Sequence, residues 1–315
     1  MSLFRSIRAV SGATGTGPVD WAAAAEAAKS AVDPGDLTVS DAERRAYSTD
    51  VREARRRVSA ATSIDVELPD RVQIQHRHHW IDANIGTFER VLQPIAAEHD
   101  SIPGLARTAN TGSMAVALGF LASHVLGQYD PLLLADRDDH GLYFVRPNIH
   151  RVADEIDVAV PRFRRWIVVH EVTHAAEFAA APWLADHLEN AVEDAVARLA
   201  AGGLDREALG ELDTTMTTVE GYAELLMDRA LDEDFRDVRA AVEARRQGRG
   251  PVARVIRRLL GLHVKRRQYE RGRAFFETVA DRRGLEAAAR VWTSPETLPT
   301  DAELDDPAAW LARVG

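Results

Sequence analysis

Pro161-Arg-Phe-Arg-Arg-Trp-Ile-Val-Val-His170-Glu171-Val172-Thr173-His174-Ala-Ala-Glu-Phe-Ala-Ala180 is the stretch on which the fold turns. It predicts one helix. Pro161 suits a first helical turn, where its missing N–H matters least, and Pro182 suits the stop. Between them Ile167, Val168, Val169, Val172, Ala175, Ala176, Phe178 and Ala179 leave almost no solvent face. A helix that is apolar nearly all round is a buried helix. Set into it is an H-E-x-x-H pattern, His170 to His174. Residues four apart share a helix face. Two imidazoles at that spacing can reach one metal, and the glutamate between them can reach a water on that metal. Burying two histidines and a glutamate costs free energy unless something pairs with them. A metal does this; core histidines hydrogen-bonded to carboxylates are the competing reading.

A catalytic zinc takes three protein ligands and keeps one position open. With no cysteine in the chain, the third ligand is His, Asp or Glu. Downstream candidates are Glu177, His187, Glu189, Glu193, Glu220 and Glu224. Glu177 shares the face of His174 but lies about 10 Å along the axis from His170, so joint ligation from one straight helix is awkward. Glu220 is preferred. It sits in a second apolar-periodic segment, Thr217 to Asp228, where small Gly221 and Ala223 let another helix come close. Glu224 is on the same face, so one carboxylate can hold the metal while the other orients a histidine ring. Glu220 is assigned to the metal, and Glu224 and Glu177 to the shell behind the ligands. A solvated helix face is the plainer reading of the Glu220–Glu224 pair.

The chain resembles the zincin-like metallopeptidases of archaea and actinobacteria, once grouped as a domain of unknown function. Some members of that family carry a label linking them to deazaflavin coenzyme biosynthesis. The resemblance runs through Leu126 to Pro131, Phe144 to Ile149, His170 to Phe178, Glu220 to Asp228, and Arg267 to Gly272 with Phe275. It reaches the tail near Leu298-Pro299-Thr300, with weaker similarity over Trp80 to Asn84. It implies a mainly α, zincin-like fold with Glu171 as catalytic base and Glu220 as third ligand. Family members often carry Asp where Glu224 stands.

The remaining sequence sets limits. A length of 315 residues is ample for a sizeable core, and the net charge of −10 argues against a nucleic-acid partner. Zero cysteines exclude disulfides, thiolate metal sites and cysteine nucleophiles. Only Lys29 and Lys265 stand against 37 arginines, which suits a GC-rich or salt-adapted source and identifies no function. The N-terminus lacks the apolar core of a signal peptide. The longest apolar run, Met114 to Leu126, falls short of a membrane span and reads as a buried helix. The expected location is the cytoplasm.

Residues 1–18 read as a flexible N-terminus. Residues 19–315 read as the metallohydrolase region, divisible into a helical subdomain over 19–110 and a catalytic subdomain over 111–315. Asp20 is placed to cap a helix from Trp21 to Ala31, and Asp33-Pro34-Gly35-Asp36 is a turn. Helices are expected over Asp41 to Ala60 and Val72 to Ala97. Leu132 to Ala135 and Gly141 to Val145 predict a β-hairpin or small sheet ahead of the H-E-x-x-H helix. An edge strand there would suit an extended peptide. His76-Arg77-His78-His79 reads as a helix start rather than a second metal site, and Asp136, Asp138, Asp139 and His140 as a solvated turn.

Together these features predict a hydrolase holding one Zn2+ per chain, acting on a peptide or protein, with Glu171 as general base. Tyr222, His263 and Tyr269 are the candidate oxyanion stabilisers. Two rival readings remain. One is a non-catalytic metal- or metabolite-binding scaffold. The other is a nucleic-acid-associated helical protein using the basic surface from Arg245 to Arg273, whose arginines more simply pair with the acidic remainder.

Overall fold

The computed structural model describes residues 6, 10, 17–92, 104–130, 141–200, 206–247 and 265–315. These form α1 (Trp21–Ala31), α2 (Asp41–Ala61), β1 (Arg71–Gln75), α3 (Arg77–Val91), α4 (Gly104–His124), β2 (Gly127–Asp130), β3 (Gly141–Val145) and α5 (Arg146–Glu155). They continue with α6 (Val160–Ala180), α7 (Leu184–Ala200), α8 (Arg206–Ala230), α9 (Arg236–Gln247), α10 (Lys265–Arg283), α11 (Leu285–Ala289), α12 (Asp301–Asp305) and α13 (Pro307–Val314). The fold is mainly α with one small sheet, as the sequence predicts. Two compact units interleave along the chain: residues 1–40, 71–151 and 189–205 form the first, and 41–70, 152–188 and 206–315 the second.

The first unit carries the sheet, in the order β1-β3-β2. It is not a simple hairpin. β2 pairs antiparallel with β3, Gly127 opposite Phe144, and β1 joins the other edge parallel, Arg71 beside Gly141. The segment Leu132 to Ala135, expected to be a strand, lies outside the described residues. A correction applies to the helix expected from Val72. Arg71-Val-Gln-Ile-Gln75 alternates β-branched and polar side chains, the period of a strand, and the helix begins only at Arg77. His76 supplies its cap, Nδ1 accepting from the His79 amide at 3.1 Å. The histidine cluster is thus a helix start, with His76 stacked on His79 at 3.7 Å.

Two polar clusters lock this unit. The Trp80 indole donates to Gln128 Oε1 at 2.7 Å, Gln128 Nε2 donates to Asn84 Oδ1 at 3.2 Å, and Asn84 Nδ2 returns to the Trp80 carbonyl at 2.7 Å. Fully buried Asn148 donates to the carbonyls of Ala122 and Val125 and accepts from Arg77 Nε at 2.7 Å. Buried amides satisfied on all sides fix one arrangement of the chain around them. The core between is Ala24, Ala28, Trp80, Ile81, Leu118 and Val145. Asp20 caps α1, accepting from the Ala23 amide at 2.9 Å, and Gly35 turns with φ +76°. Among the described residues no helix is long and apolar enough to cross a membrane.

In the second unit α8 packs against α10, α2 and α6. Helix α6 buries Phe163, Trp166, Ile167, Val168, Val169, Val172, Ala175 and Ala176, as its all-round apolar pattern requires. It also buries Arg164, which donates from Nε to Asp50 Oδ2 of α2 at 2.7 Å while its guanidinium lies 5.0 Å from the Tyr47 ring centroid. Helices α8 and α10 meet at Gly221 and Gly272, where their backbones touch. The small residue beside Glu220 does admit another helix. Tyr222, Phe275, Phe276, Trp292 and Trp310 fill the aromatic core on that side.

Of the arginine-rich stretch, the described members are paired. Arg245 meets Glu155 at 3.1 Å, Arg271 meets Asp301 and Asp305, and Arg273 meets Asp228 and Glu277. Residues 136–140, read from the sequence as a solvated turn, and residues 248–264 lie outside the described residues.

Candidate active site

His170, His174 and Glu177 follow one face of α6 at intervals of four and three residues, so one buried helix presents all three. Helix α8, crossing α6, brings Glu220. The potential ligand atoms of His170, His174 and Glu220 all lie within 4.8 Å of one another, a constellation drawn from positions fifty residues apart. The two imidazole Nε2 atoms are 3.2 Å apart. Two nitrogens bound tetrahedrally to one zinc stand about 3.3 Å apart, from metal–nitrogen distances of about 2.0–2.1 Å. Glu220 Oε2 is buried with no hydrogen-bond partner, and a buried carboxylate oxygen in that condition is costly. The nitrogen–nitrogen spacing and the orphaned oxygen both fit a divalent cation. An all-nitrogen-and-carboxylate donor set suits zinc.

Behind the ligands, Glu177 is fully buried and its Oε2 lies 2.8 Å from His174 Nδ1. With the carboxylate ionised, that nitrogen carries the proton and Nε2 is left bare for a metal. Burial works to lower the His174 pKa, but the charge and hydrogen bond of Glu177, with Glu220 and Glu171 adding, outweigh it, so the pKa is raised. Burial pushes the Glu177 pKa up to about 7, with His174 opposing. Without a metal, the pair therefore holds a proton on His174. Glu171, between the histidines, is buried at 6% exposure.

Other predicted residues have the following neighbours. Glu224 is buried and lies 3.6 Å from Arg239, which also pairs with Asp228. Its placement beside an arginine differs from that of Glu177, which directly meets a histidine ring. The Tyr222 ring is fully buried between Phe276 and Trp292, and its hydroxyl is 3.0 Å from Thr62 Oγ1. It is a core tyrosine, and burial pushes its pKa up to about 12 against the Thr62 hydrogen bond. Tyr269 lies in α10, but its side chain, like all of His263, is outside the described residues. His187 meets Thr215 Oγ1 at 3.2 Å, and Glu189 meets Arg90 at 3.4 Å.

Two contacts were not anticipated. Met227 Sδ lies 3.3 Å from His170 Nδ1, and Trp166 stacks parallel to the His170 ring at 5.9 Å. Both residues are apolar-helix positions that read as core. Only their spacing, seven after Glu220 and four before His170, hinted at the site.

A family model for zincin-like metallopeptidases matches residues 19–205 and 195–311. The chain is also similar to a protein of Chloroflexus aurantiacus whose crystal structure is described as that of a "putative hydrolase with a novel fold". The two share 29% identity and a TM-score of 0.73, over 99% of this chain and 97% of that one. No curated protein matches. With nearly its whole length matched by the family, and the H-E-x-x-H helix and its carboxylate partner in place, the chain belongs to the zincin-like metallopeptidases.

Proposed function

We propose that this protein is a zinc-dependent hydrolase that cleaves amide bonds in a peptide or protein. The convergence of His170, His174 and Glu220 carries the reading. These three would hold the ion, the histidines through Nε2 and Glu220 through a carboxylate oxygen. When bound, zinc supplies a Lewis acid that makes a water acidic near neutral pH and polarises a carbonyl.

The chain's own residues supply the rest. Glu171 takes the proton of the attacking water and passes it to the leaving nitrogen, the two-way transfer expected of a positioned general base and acid. Its place between the ligands on one helix sets its distance from both. Glu177 holds the His174 ring in one tautomer, so that ligand needs no reorganisation. A site that only stored metal has no need of Glu171, which is why hydrolysis is preferred over a scaffold role.

The test is metal content followed by turnover. Protein purified without added metal should carry about one zinc per chain, and Glu220→Ala should lose most of it. Glu171→Gln should keep the zinc and fail to cleave a peptide library that the wild type cleaves. A wild type that neither carries nor takes up zinc would sink the proposal. Equal cleavage by the Gln variant would remove Glu171 as the base.

A further inference from the structure

We propose that Met227 is a positioning residue for the metal ligand His170, its thioether accepting the His170 Nδ1 proton and so presenting a bare Nε2 to the ion. The inference rests on the metal reading of the same site.

The argument starts from what sulfur can do. A thioether has no hydrogen to give and accepts only. Met227 Sδ is 3.3 Å from His170 Nδ1 and the side chain is fully buried. For that contact to be a hydrogen bond, Nδ1 must be the donor. A neutral imidazole carries one proton, so Nε2 then has its lone pair free. Nε2 is the atom that faces His174 Nε2 at 3.2 Å. Trp166, parallel to the ring at 5.9 Å, limits its tilt.

The two ligands are thus supported differently. His174 leans on the Glu177 carboxylate, and His170 on a neutral, polarisable sulfur. A carboxylate behind a ligand raises its basicity and adds negative charge near the ion. A second such carboxylate, at position 227, would bring a fourth acidic group to a site that already has Glu220, Glu177 and Glu171 close by. Met227 orients the ring without adding charge, which leaves the bound ion a stronger Lewis acid.

Met227→Leu removes the acceptor at nearly constant volume. Met227→Gln returns an acceptor, the amide oxygen, on a chain of similar length. Two readouts apply: the His170 tautomer in chelator-treated protein, from long-range proton–nitrogen NMR at mildly alkaline pH, and zinc affinity by chelator competition. We expect the Nδ1–H form in the wild type, loss of that single form in the Leu variant with about tenfold weaker zinc binding, and recovery of both in the Gln variant. An Nε2–H form in the wild type would overturn the proposal, and needs no variant to fold. So would a Leu variant that keeps the wild-type tautomer and zinc affinity. A wild type that shows the Nδ1–H form yet takes up no zinc would uphold the Met227 contact and refute the metal reading instead.

Discussion

Gly221→Ala should destabilise the protein although it places a better helix former inside a helix. A Cβ at Gly221 would stand 2.6 Å from Gly272 Cα and 2.8 Å from the Gly272 carbonyl oxygen, where ordinary contact begins at 3.4 Å. The shortfall is at least 0.8 Å, and the obstacle is backbone, so no rotamer change relieves it. Helices α8 and α10 must part. Overpacking costs typically 1–3 kcal/mol, and a rigid obstacle takes the upper end, about 3 kcal/mol. Helix propensity returns about 1 kcal/mol. The net loss is about 2 kcal/mol, or roughly 4–8 °C in melting temperature. Gly210 on the same helix is the control. A Cβ there meets nothing within 4 Å, so Gly210→Ala should raise stability by up to about 1 kcal/mol. Thermal melts of the three proteins measure both effects. Because Gly221 follows Glu220, zinc content should fall in the Gly221 variant alone. If Gly221→Ala melts at or above the wild type, the close helix contact and the route it gives to Glu220 are wrong.

Three further outcomes are expected. Asp50→Ala strands the Arg164 guanidinium, whose side chain is only 9% exposed, and should cost about 3–5 kcal/mol in urea unfolding; a loss under 1 kcal/mol would mean the pair is solvated. Tyr222 has a folded pKa raised to about 12 from 10.0, so its stabilising effect is complete below pH 10 and is lost as pH rises through 12. That amounts to roughly 2–3 kcal/mol, and Tyr222→Phe should abolish this component; an unchanged alkaline profile would contradict it. Because burial is outweighed by Glu177 and the His174 pKa is raised, zinc must displace a proton at neutral pH. Zinc affinity should therefore rise about tenfold per pH unit above about pH 7, where Glu177 is ionised and His174 still protonated, and Glu177→Gln should flatten that slope; a pH-independent wild type would refute the protonated pair.

Much of this was legible before any coordinates. The H-E-x-x-H spacing, the proline at its head and the absence of a solvent face are one-dimensional facts. A helix converts them to geometry by a fixed rotation per residue, so His170, Glu171, His174 and Glu177 could be placed on their faces with no tertiary information. The Asp20 cap and the Gly35 turn are local for the same reason. The strand at Arg71 was misread, because five residues of alternation run directly into a helix and its stabilising partner, β3, lies some seventy residues away. Strand pairing is non-local.

What only the tertiary structure decided was which groups meet. Glu220 and Glu224 are equivalent in spacing and chemistry. The crossing of α6 by α8 sends one to the histidines and leaves the other beside Arg239. The same packing buries Tyr222 with its hydroxyl at Thr62, and brings Met227 to a histidine ring where nothing in its residue type foretold it. Periodicity specifies a face of one helix. The angle and rotation at which two helices pack depend on side-chain shape along both, and on close approaches such as Gly221 on Gly272, which only the folded chain brings together.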